Sequence, residues 1–186
     1  DRASVRAIME EARQLIRNML EVRQPIIAAV NGDALSLGAT LVLFCDIIIA
    51  ADTARLADTH VRYGVVAGDG GAIIWPLLVG IARAKEFLLT GNMVGAPEAA
   101  RLGLINYAVK AEELDATVKK FVDKLLAASY SAVAYTKHAI NIPLRQAVHS
   151  VLESSLAYEG LTMLQNDDFK EGVKAFLEGR PPKFKR

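Results

Sequence analysis

Two short apolar runs, at residues 26–30 and 47–50, constrain the fold of this chain more than any other feature. Both runs are continuous and rich in β-branched side chains, which is typical of strands that are covered on both faces. Between them lie a turn at residues 31–33 and a helix-like stretch at residues 38–45. Strand, helix and strand in this order predict a βαβ unit, so we expect a sheet that is parallel in part.

Two loops that contain glycine belong to this part of the chain, and each precedes a predicted helix. The first lies at residues 35–38, and the second, at residues 64–71, holds four glycines and Asp69. A helix N-terminus offers unpaired backbone N–H groups to an oxygen that carries negative charge. The pair of loops therefore predicts a backbone site that could stabilise an enolate or a thioester oxyanion without a metal.

The same residues allow less specific interpretations. The first loop could be an ordinary turn between a strand and a helix, and Asp69 could serve only as a helix N-cap. The more specific interpretation holds the Asp69 carboxylate where a substrate can approach the glycine backbone. His60 could be a pocket residue that titrates near neutral pH or a hydrogen-bonded surface histidine.

Composition narrows the class of protein. The chain has 186 residues, of which 52% are apolar and 23% charged, as expected for one well-packed soluble domain. Its net charge of +1 does not favour nucleic acid or an anionic membrane as a partner. The single cysteine, Cys45, excludes an internal disulfide and fits a reducing compartment. With no signal-peptide pattern, these features predict a cytoplasmic protein.

Several common site types are absent from the sequence. His60, His138 and His149 lie far apart without metal-ligand spacing, so no metal site is expected. The glycine spacing matches neither a phosphate-binding P-loop nor a dinucleotide fingerprint, and there is no Gly-x-Ser-x-Gly motif.

The remainder of the chain is predicted to be mainly helical. An amphipathic pattern at residues 5–20 predicts a helix before the first strand, and residues 72–89 predict a second helix with a break near Pro76. Further predicted elements are a short helix at 97–102, an edge strand or extended segment at 105–109, and helices at 114–128, 132–141, 144–166 and 168–179, with Pro143 separating the middle two. We accordingly divide the chain into an α/β core at residues 1–110 and a helical C-terminal region at 111–186.

Four segments resemble the crotonase (enoyl-CoA hydratase/isomerase) superfamily, and the resemblance runs from residue 26 to the C-terminus. They are AAVNGDALSLGATLVLFCDIIIAAD, GVVAGDGGAIIWPLLVG, ARAKEFLLTGNMVGAPEAARLGLIN and NDDFKEGVKAFLEGRPPKF. The resemblance implies a crotonase-like α/β core of the ββα-spiral type with an all-helical C-terminal oligomerisation region. It also implies an acyl-CoA substrate, a homotrimer or hexamer, and no cofactor beyond the coenzyme A of the substrate. Members carry an earlier block of strands, with a second oxyanion amide, that this sequence does not include.

The resemblance assigns roles to positions in both loops. One oxyanion amide is expected from Leu37, followed by Gly38, where relatives usually have a run of glycines. The two glutamates of a hydratase are expected at Thr40 and His60, so both are replaced. Syn hydration needs one group to activate water and one to protonate the α-carbon, which argues against ordinary hydration.

Asp69 also departs from the family pattern, because common hydratases have a small residue between the two glycines that flank it. Its carboxylate could compensate for the two missing glutamates. A single carboxylate suits double-bond isomerisation or thioester hydrolysis, so we assign the general acid or base to Asp69, with His60 assisting. Phe176 and Lys183 are expected to contact the substrate or coenzyme A. The rival hypothesis is a non-catalytic acyl-CoA-binding member of the family, which the substitutions at Thr40 and His60 favour.

Overall fold

The structure, a computed structural model, describes residues 1–165 and 167–185 of the chain. Its helices are α1 (Arg2–Glu21), α2 (Leu37–Leu43), α3 (Gly71–Thr90), α4 (Ala96–Arg101), α5 (Leu114–Leu126), α6 (Tyr130–Gln165) and α7 (Asp167–Leu177). Its strands are β1 (Ile27–Val30), β2 (Ala34–Leu35), β3 (Ile47–Ala51), β4 (Arg55–Ala57), β5 (Val94–Gly95) and β6 (Tyr107–Val109). Short 3₁₀ helices lie at His60–Tyr63 and Ala111–Glu113.

The predicted βαβ unit is confirmed. Strands β1 and β3 pair in parallel, with Ile27 opposite Ile47, and the crossover between them contains α2. Strand β6 pairs in parallel with β3 and lies at the end of the order β1-β3-β6, as the prediction of an edge strand requires. Ile49 at the centre of β3 is fully buried, which is why the β-branched run is continuous rather than alternating.

A second small sheet, in the order β2-β4-β5, was missed by the sequence analysis. β2 pairs in parallel with β4, and β4 pairs antiparallel with β5. These strands are only two or three residues long, too short for a period of two to be recognised. Because β2 and β4 are parallel, the segments that follow them leave the sheet at the same edge.

Helix α1 covers the core with the apolar stripe that the sequence predicts. Its buried side chains, which recur every three or four residues, are Met9, Ala12, Ile16 and Leu20. Leu152 and Leu156 of α6 belong to the same apolar cluster, and Arg13 of α1 is paired with Glu153 of α6 at 2.9 Å. Each fully buried aliphatic side chain contributes about 1.5–3 kcal/mol to the stability of the fold. The apolar contact between α1 and α6 therefore attaches the C-terminal helices to the core.

The expected break in α3 is at Gly80 instead of Pro76. Gly80 has φ 75° and ψ 161°, whereas the helix continues through Pro76. Proline removes one backbone hydrogen bond but keeps a helical φ, and the adjacent Trp75 is fully buried in the core. Gly80 has no side chain, so it adopts the positive φ at little cost.

The expected separation of two helices at Pro143 is also wrong, because α6 continues from Tyr130 to Gln165 through this residue. The helix is hydrogen-bonded on each side of Pro143 to the segment at residues 20–24. The Lys137 ammonium donates to the carbonyl oxygen of Gln24 at 3.0 Å, and Arg145 donates to the carbonyl oxygen of Leu20 at 2.6 Å. These contacts hold the two halves in line despite the lost hydrogen bond.

The C-terminal helices pack against the segment that carries His60. Gly172 of α7 lies against the backbone of Tyr63, and the rings of Tyr63 and Phe176 are 5.6 Å apart in an edge-to-face arrangement.

The predicted C-terminal end of the preceding helix, at residue 166, lies outside the described residues. The division of the chain at residue 110 stays a prediction. Across residues 1–165 and 167–185, no helix has the length and apolarity that crossing a bilayer requires.

Candidate active site

Strands β2 and β4 bring the first loop to the segment that contains His60. The Ser36 N–H donates to the carbonyl oxygen of Ala57 at 2.9 Å, and the hydroxyl oxygens of Ser36 and Thr59 are 2.6 Å apart. Ser36 has φ 50°, a positive value that is uncommon outside glycine and costs about 1–3 kcal/mol. This strained turn starts helix α2 beside the 3₁₀ helix that begins at His60.

Leu37 and Gly38 are the first two residues of α2. First-turn amides have no acceptor inside their own helix, and across the described residues neither N–H makes a hydrogen bond. The Leu37 side chain is exposed. The predicted oxyanion residues are therefore placed where their amides remain available, although their role stays a prediction.

The second loop starts helix α3, and it places Asp69 next to the helix rather than at its cap. The N-cap is Gly70, with φ 120°, so the N-cap interpretation of Asp69 is wrong. The Asp69 carboxylate is buried, and the backbone N–H of Gly71 stabilises its ionised form. A Cβ atom on Gly70 would lie 2.8 Å from Cγ2 of Thr40, so only glycine lets the loop approach α2 this closely.

Thr40 and His60 contact the Asp69 carboxylate from two sides. The Thr40 hydroxyl donates to Oδ1 of Asp69 at 3.3 Å, and Nε2 of His60 lies 3.4 Å from Oδ2. The other ring nitrogen of His60, Nδ1, is 2.8 Å from Oδ1 of Asp58, which also accepts the His60 backbone N–H at 3.2 Å. Asp58 is only 1% exposed. His60 therefore bridges two buried carboxylates.

The charges of this cluster change the protonation of His60. Burial by itself would lower the pKa of His60, because apolar surroundings favour the neutral ring. The hydrogen bond to Asp58 and the negative charges of Asp58, Asp69 and Glu159 outweigh burial and raise the pKa to about 9. The ring is therefore an imidazolium at neutral pH. It donates to Asp58 through Nδ1, and its Nε2 forms an ion pair with Asp69 at 3.4 Å.

The Asp69 carboxyl experiences opposing effects. Burial raises its pKa, and the charge of Asp58 acts in the same direction. The imidazolium of His60, the Thr40 hydroxyl and the Gly71 N–H stabilise the ionised form and act against burial. The result is a carboxylate with a raised pKa, which is a stronger base than an exposed aspartate.

The same three side chains raise the question of a metal, because Asp58, His60 and Asp69 have potential ligand atoms within 4.8 Å of one another. Asp58 and Asp69 face opposite nitrogens of the His60 ring. One ion cannot bind both nitrogens of one imidazole, so the arrangement fits a hydrogen-bonded relay better than shared metal coordination. A site without a metal stays a prediction.

Two residues of the cluster were missed by the sequence analysis. Asp58 had a local signal in the sequence. An aspartate side chain often accepts the backbone N–H of the residue two positions further on, which here is His60. Glu159 lies on α6, about 90 residues from Asp69 in the chain, and is buried. Its signal was a charged residue on the apolar stripe of Leu152 and Leu156, at helical spacing.

Phe176 and Lys183 lie apart from this cluster. Phe176 is exposed on α7, and its ring packs against Tyr63, at the other end of the 3₁₀ helix that begins at His60. The Lys183 N–H donates to Oε1 of Glu171 at 2.8 Å, in a shallow cavity that also holds Lys170. Their proposed contacts with substrate or coenzyme A stay predictions.

Comparison with known proteins identifies the family. The model of the enoyl-CoA hydratase/isomerase family matches residues 3–186. A crotonyl-CoA hydratase from Syntrophomonas wolfei is 37% identical over 172 residues, which cover 92% of this chain and 66% of that protein. A probable enoyl-CoA hydratase from Mycobacterium leprae is 37% identical over 166 residues, covering 88% and 63%. The chain thus spans about two thirds of the length of these curated relatives.

Solved structures agree. A crystal structure of an enoyl-CoA hydratase from Mycobacterium avium subsp. paratuberculosis K-10 superposes with a TM-score of 0.93 at 28% identity, covering 98% of this chain and 74% of that chain. A β-diketone hydrolase from Anabaena sp. PCC 7120 superposes with a TM-score of 0.83 at 29% identity, covering 87% and 65%. The crotonase-like α/β fold and the resemblance seen in the sequence are confirmed, and the chain belongs to the enoyl-CoA hydratase/isomerase family.

Proposed function

We propose that the protein acts on acyl-CoA thioesters by stabilising an enolate, with Asp69 as the residue that moves the proton. Double-bond isomerisation and thioester hydrolysis fit the site better than hydration does. The similarity to a β-diketone hydrolase is in keeping with a hydrolytic reaction on this fold. The first-turn amides of Leu37 and Gly38 would form one part of the oxyanion site.

One observation carries this proposal: the residues at both positions where the family resemblance implies glutamate contact Asp69. Thr40 donates to one oxygen of the carboxylate, and His60 approaches the other at 3.4 Å. The two positions at which the resemblance implies glutamates thus hold a different carboxylate, that of Asp69, from both sides. A single group can remove a proton and return it at another carbon, whereas syn hydration needs two groups.

The steps of an isomerisation follow from this geometry. Asp69 removes the α-proton of a 3-enoyl thioester, and the electron pair of that C–H bond moves onto the thioester oxygen, where backbone amides stabilise it. The protonated Asp69 then returns the proton to the γ-carbon, and the double bond moves into conjugation with the thioester. The His60 imidazolium orients Asp69 through Nε2 while Asp58 holds the ring through Nδ1.

The test is a panel of enoyl-, dienoyl- and β-ketoacyl-CoA substrates, assayed with the intact protein and with Asp69→Asn. We expect turnover of at least one substrate and a loss of about 10²–10⁴-fold in kcat for the variant, the range typical of a general acid or base. Asp52→Asn, an exposed aspartate in a turn, is the matched control and keeps full activity. Hydration that does not depend on Asp69 would show that the roles are assigned wrongly.

The substitutions at Thr40 and His60 also favour a second candidate, a non-catalytic acyl-CoA-binding protein of the same family. Such a protein binds coenzyme A thioesters in calorimetry and turns over none of the panel. Binding without turnover, in a protein whose Asp69→Asn variant binds equally well, would therefore replace the enzyme by a binding protein.

We also propose that the protein works in the cytoplasm as a homotrimer or hexamer, without a cofactor beyond the coenzyme A of its substrate. Exposed apolar side chains on the C-terminal helices, which a subunit contact would cover, support the assembly: Leu126, Tyr135, Ile140, Phe176 and Leu177. Phe176 and Lys183 would then contact the substrate or coenzyme A. Light scattering of the intact protein tests the assembly, and a monomer at micromolar concentration would contradict it.

A further inference from the structure

One face of α6 lies directly on the glycine loop that carries Asp69. The Ser155 hydroxyl donates to the carbonyl oxygen of Gly68 at 2.8 Å. About two turns further along the helix, the Thr162 hydroxyl oxygen accepts the N–H of Val66 at 3.4 Å. Glu159 lies between these two contacts on the same face, so α6 positions its side chain against the loop.

Gly68 is the point of closest approach between the loop and Glu159. A Cβ atom on Gly68 would overlap the carbonyl oxygen of Ser155 and lie 2.7 Å from both Cβ and Oε2 of Glu159. The absence of a side chain at residue 68 is thus what lets the Glu159 carboxyl reach the residue next to Asp69. The contact is specific, because it needs a glycine on one side and a helix on the other.

Glu159 is 3% exposed, and its Oε2 has no hydrogen-bond partner among the described residues. The charged groups that act on it are Asp69, His60 and Asp58, and Val5 and Met9 of α1 line the neighbouring Gly160 with apolar atoms. Three carboxylates and one imidazolium would leave an excess of negative charge in a desolvated space. One of the carboxyl groups therefore keeps its proton near neutral pH.

The hydrogen bonds decide which carboxyl group keeps the proton. The Thr40 hydroxyl donates to Asp69, and the charge of His60 and the backbone N–H of Gly71 also stabilise its ionised form. In residues 1–165 and 167–185, no comparable donor reaches Glu159. Burial, followed by the charge of Asp69, raises the pKa of Glu159 to about 7.

We propose that Glu159 is the positioning residue that holds the proton of this carboxyl cluster near neutral pH, so that Asp69 is ionised and able to act as the base. This inference rests on the proposed role of Asp69 and extends the site to a helix that the family resemblance does not implicate. Glu159 does not need to touch the substrate: it acts through the charge of Asp69 and of His60.

The test uses the intact protein and Glu159→Gln, which keeps the shape of a protonated glutamate but cannot ionise. Carboxyl ¹³C resonances of labelled glutamate report the titration of Glu159 directly, and the variant assigns its signal. We expect a titration near pH 7 in the wild type. In the variant the pKa of His60, followed by ring resonances, falls, because one negative charge that raises it is gone. Glu153→Gln, an exposed glutamate on the same helix, leaves both titrations unchanged.

Activity supplies the second measurement. Below pH 7, where Glu159 is protonated, kcat/KM of Glu159→Gln stays within about threefold of the wild type. Above pH 7, the wild-type value falls as the ionised Glu159 disfavours an enolate, and the variant lacks this inflection. A Glu159 that titrates like an exposed glutamate, or an unchanged His60 pKa in the variant, would overturn the inference. If the titrations are as expected but no substrate is turned over, the proposed function fails and the protonation of Glu159 stands.

Discussion

Nε2 of His60 lies 3.4 Å from Oδ2 of Asp69, while Nδ1 of the same ring is hydrogen-bonded to Asp58. This relationship makes the histidine a fixed positive charge beside the carboxylate that we assign as the base. Asp58 prevents the ring from rotating, so the charge keeps its direction toward Asp69. His60 is therefore better described as a positioning residue for Asp69 than as a separate base.

His60→Gln removes that positive charge, and we expect kcat/KM at neutral pH to fall at least about tenfold. Because the imidazolium lowers the pKa of Asp69, its loss raises that pKa, so the rising limb of the pH–rate profile moves to higher pH. Steady-state assays across pH measure the shift. His149→Gln, an exposed histidine on α6, is the control and leaves the profile in place. A uniform loss of rate with no shift would contradict this role.

The cluster also predicts how stability depends on pH. The pKa of Glu159 rises from 4.5 to about 7 and that of His60 from 6.5 to about 9 on folding. In both windows the folded state binds more protons than the unfolded state, so the free energy of unfolding falls as pH rises from about 5 to 9. Urea unfolding at several pH values measures the slope.

Glu159→Gln and His60→Gln separate the two contributions to the pH dependence of the free energy of unfolding. Glu159→Gln removes the part between about pH 5 and 7, and His60→Gln removes the part between about pH 7 and 9. Each part amounts to a few kcal/mol at most, since one pKa unit corresponds to about 1.4 kcal/mol. A stability that is flat over this range in the wild type would show that neither pKa is raised.

Gly68→Ala tests the close contact between the loop and α6. The added methyl group overlaps the Ser155 carbonyl oxygen and crowds Glu159, so we expect a loss of about 1–3 kcal/mol in the free energy of unfolding. Gly32→Ala is the control, because nothing lies within 4 Å of the position of its Cβ. Denaturant unfolding of both variants gives the difference, and equal stabilities would show that α6 does not rest on the loop.

Lys137→Met tests the attachment of α6 near Pro143. The Lys137 ammonium is nearly buried and lies 2.7 Å from Oδ2 of Asp46, which also accepts the N–H of Ile26. Loss of the lysine leaves a partly buried carboxylate with one donor, so we expect destabilisation of about 2–4 kcal/mol.

The matching control for that variant is Lys119→Met, which removes an exposed pair with Asp123 and changes stability by less than about 1 kcal/mol. Adding Asp46→Asn to Lys137→Met recovers part of the lost stability, because the uncompensated charge is removed. If the double variant is as unstable as the single one, packing of the lysine stem matters more than its charge.

Local pattern was enough to predict the elements that carry either a helical apolar stripe or a continuous apolar run over several positions. The amphipathic α1 and the apolar runs of β1 and β3 were predicted within a few residues, and the glycine loops before α2 and α3 were located. The strands β2 and β4 were too short for any pattern. Gly80 and Pro143 show the limit of single-residue rules, because tertiary contacts of Trp75, Lys137 and Arg145 decide whether a helix breaks there.

The sequence by itself determined the family, the βαβ core and the two helix-opening loops, and it led to the prediction that Thr40 and His60 stand at the two glutamate positions. Only the tertiary structure decided that these two residues hold Asp69, and that Glu159 comes to the same place from a helix about 90 residues away. The physical reason is that hydrogen bonds and charge interactions act over a few ångströms of space. Which residues come within that distance depends on how α2, α3 and α6 pack, which their separate periodicities do not encode.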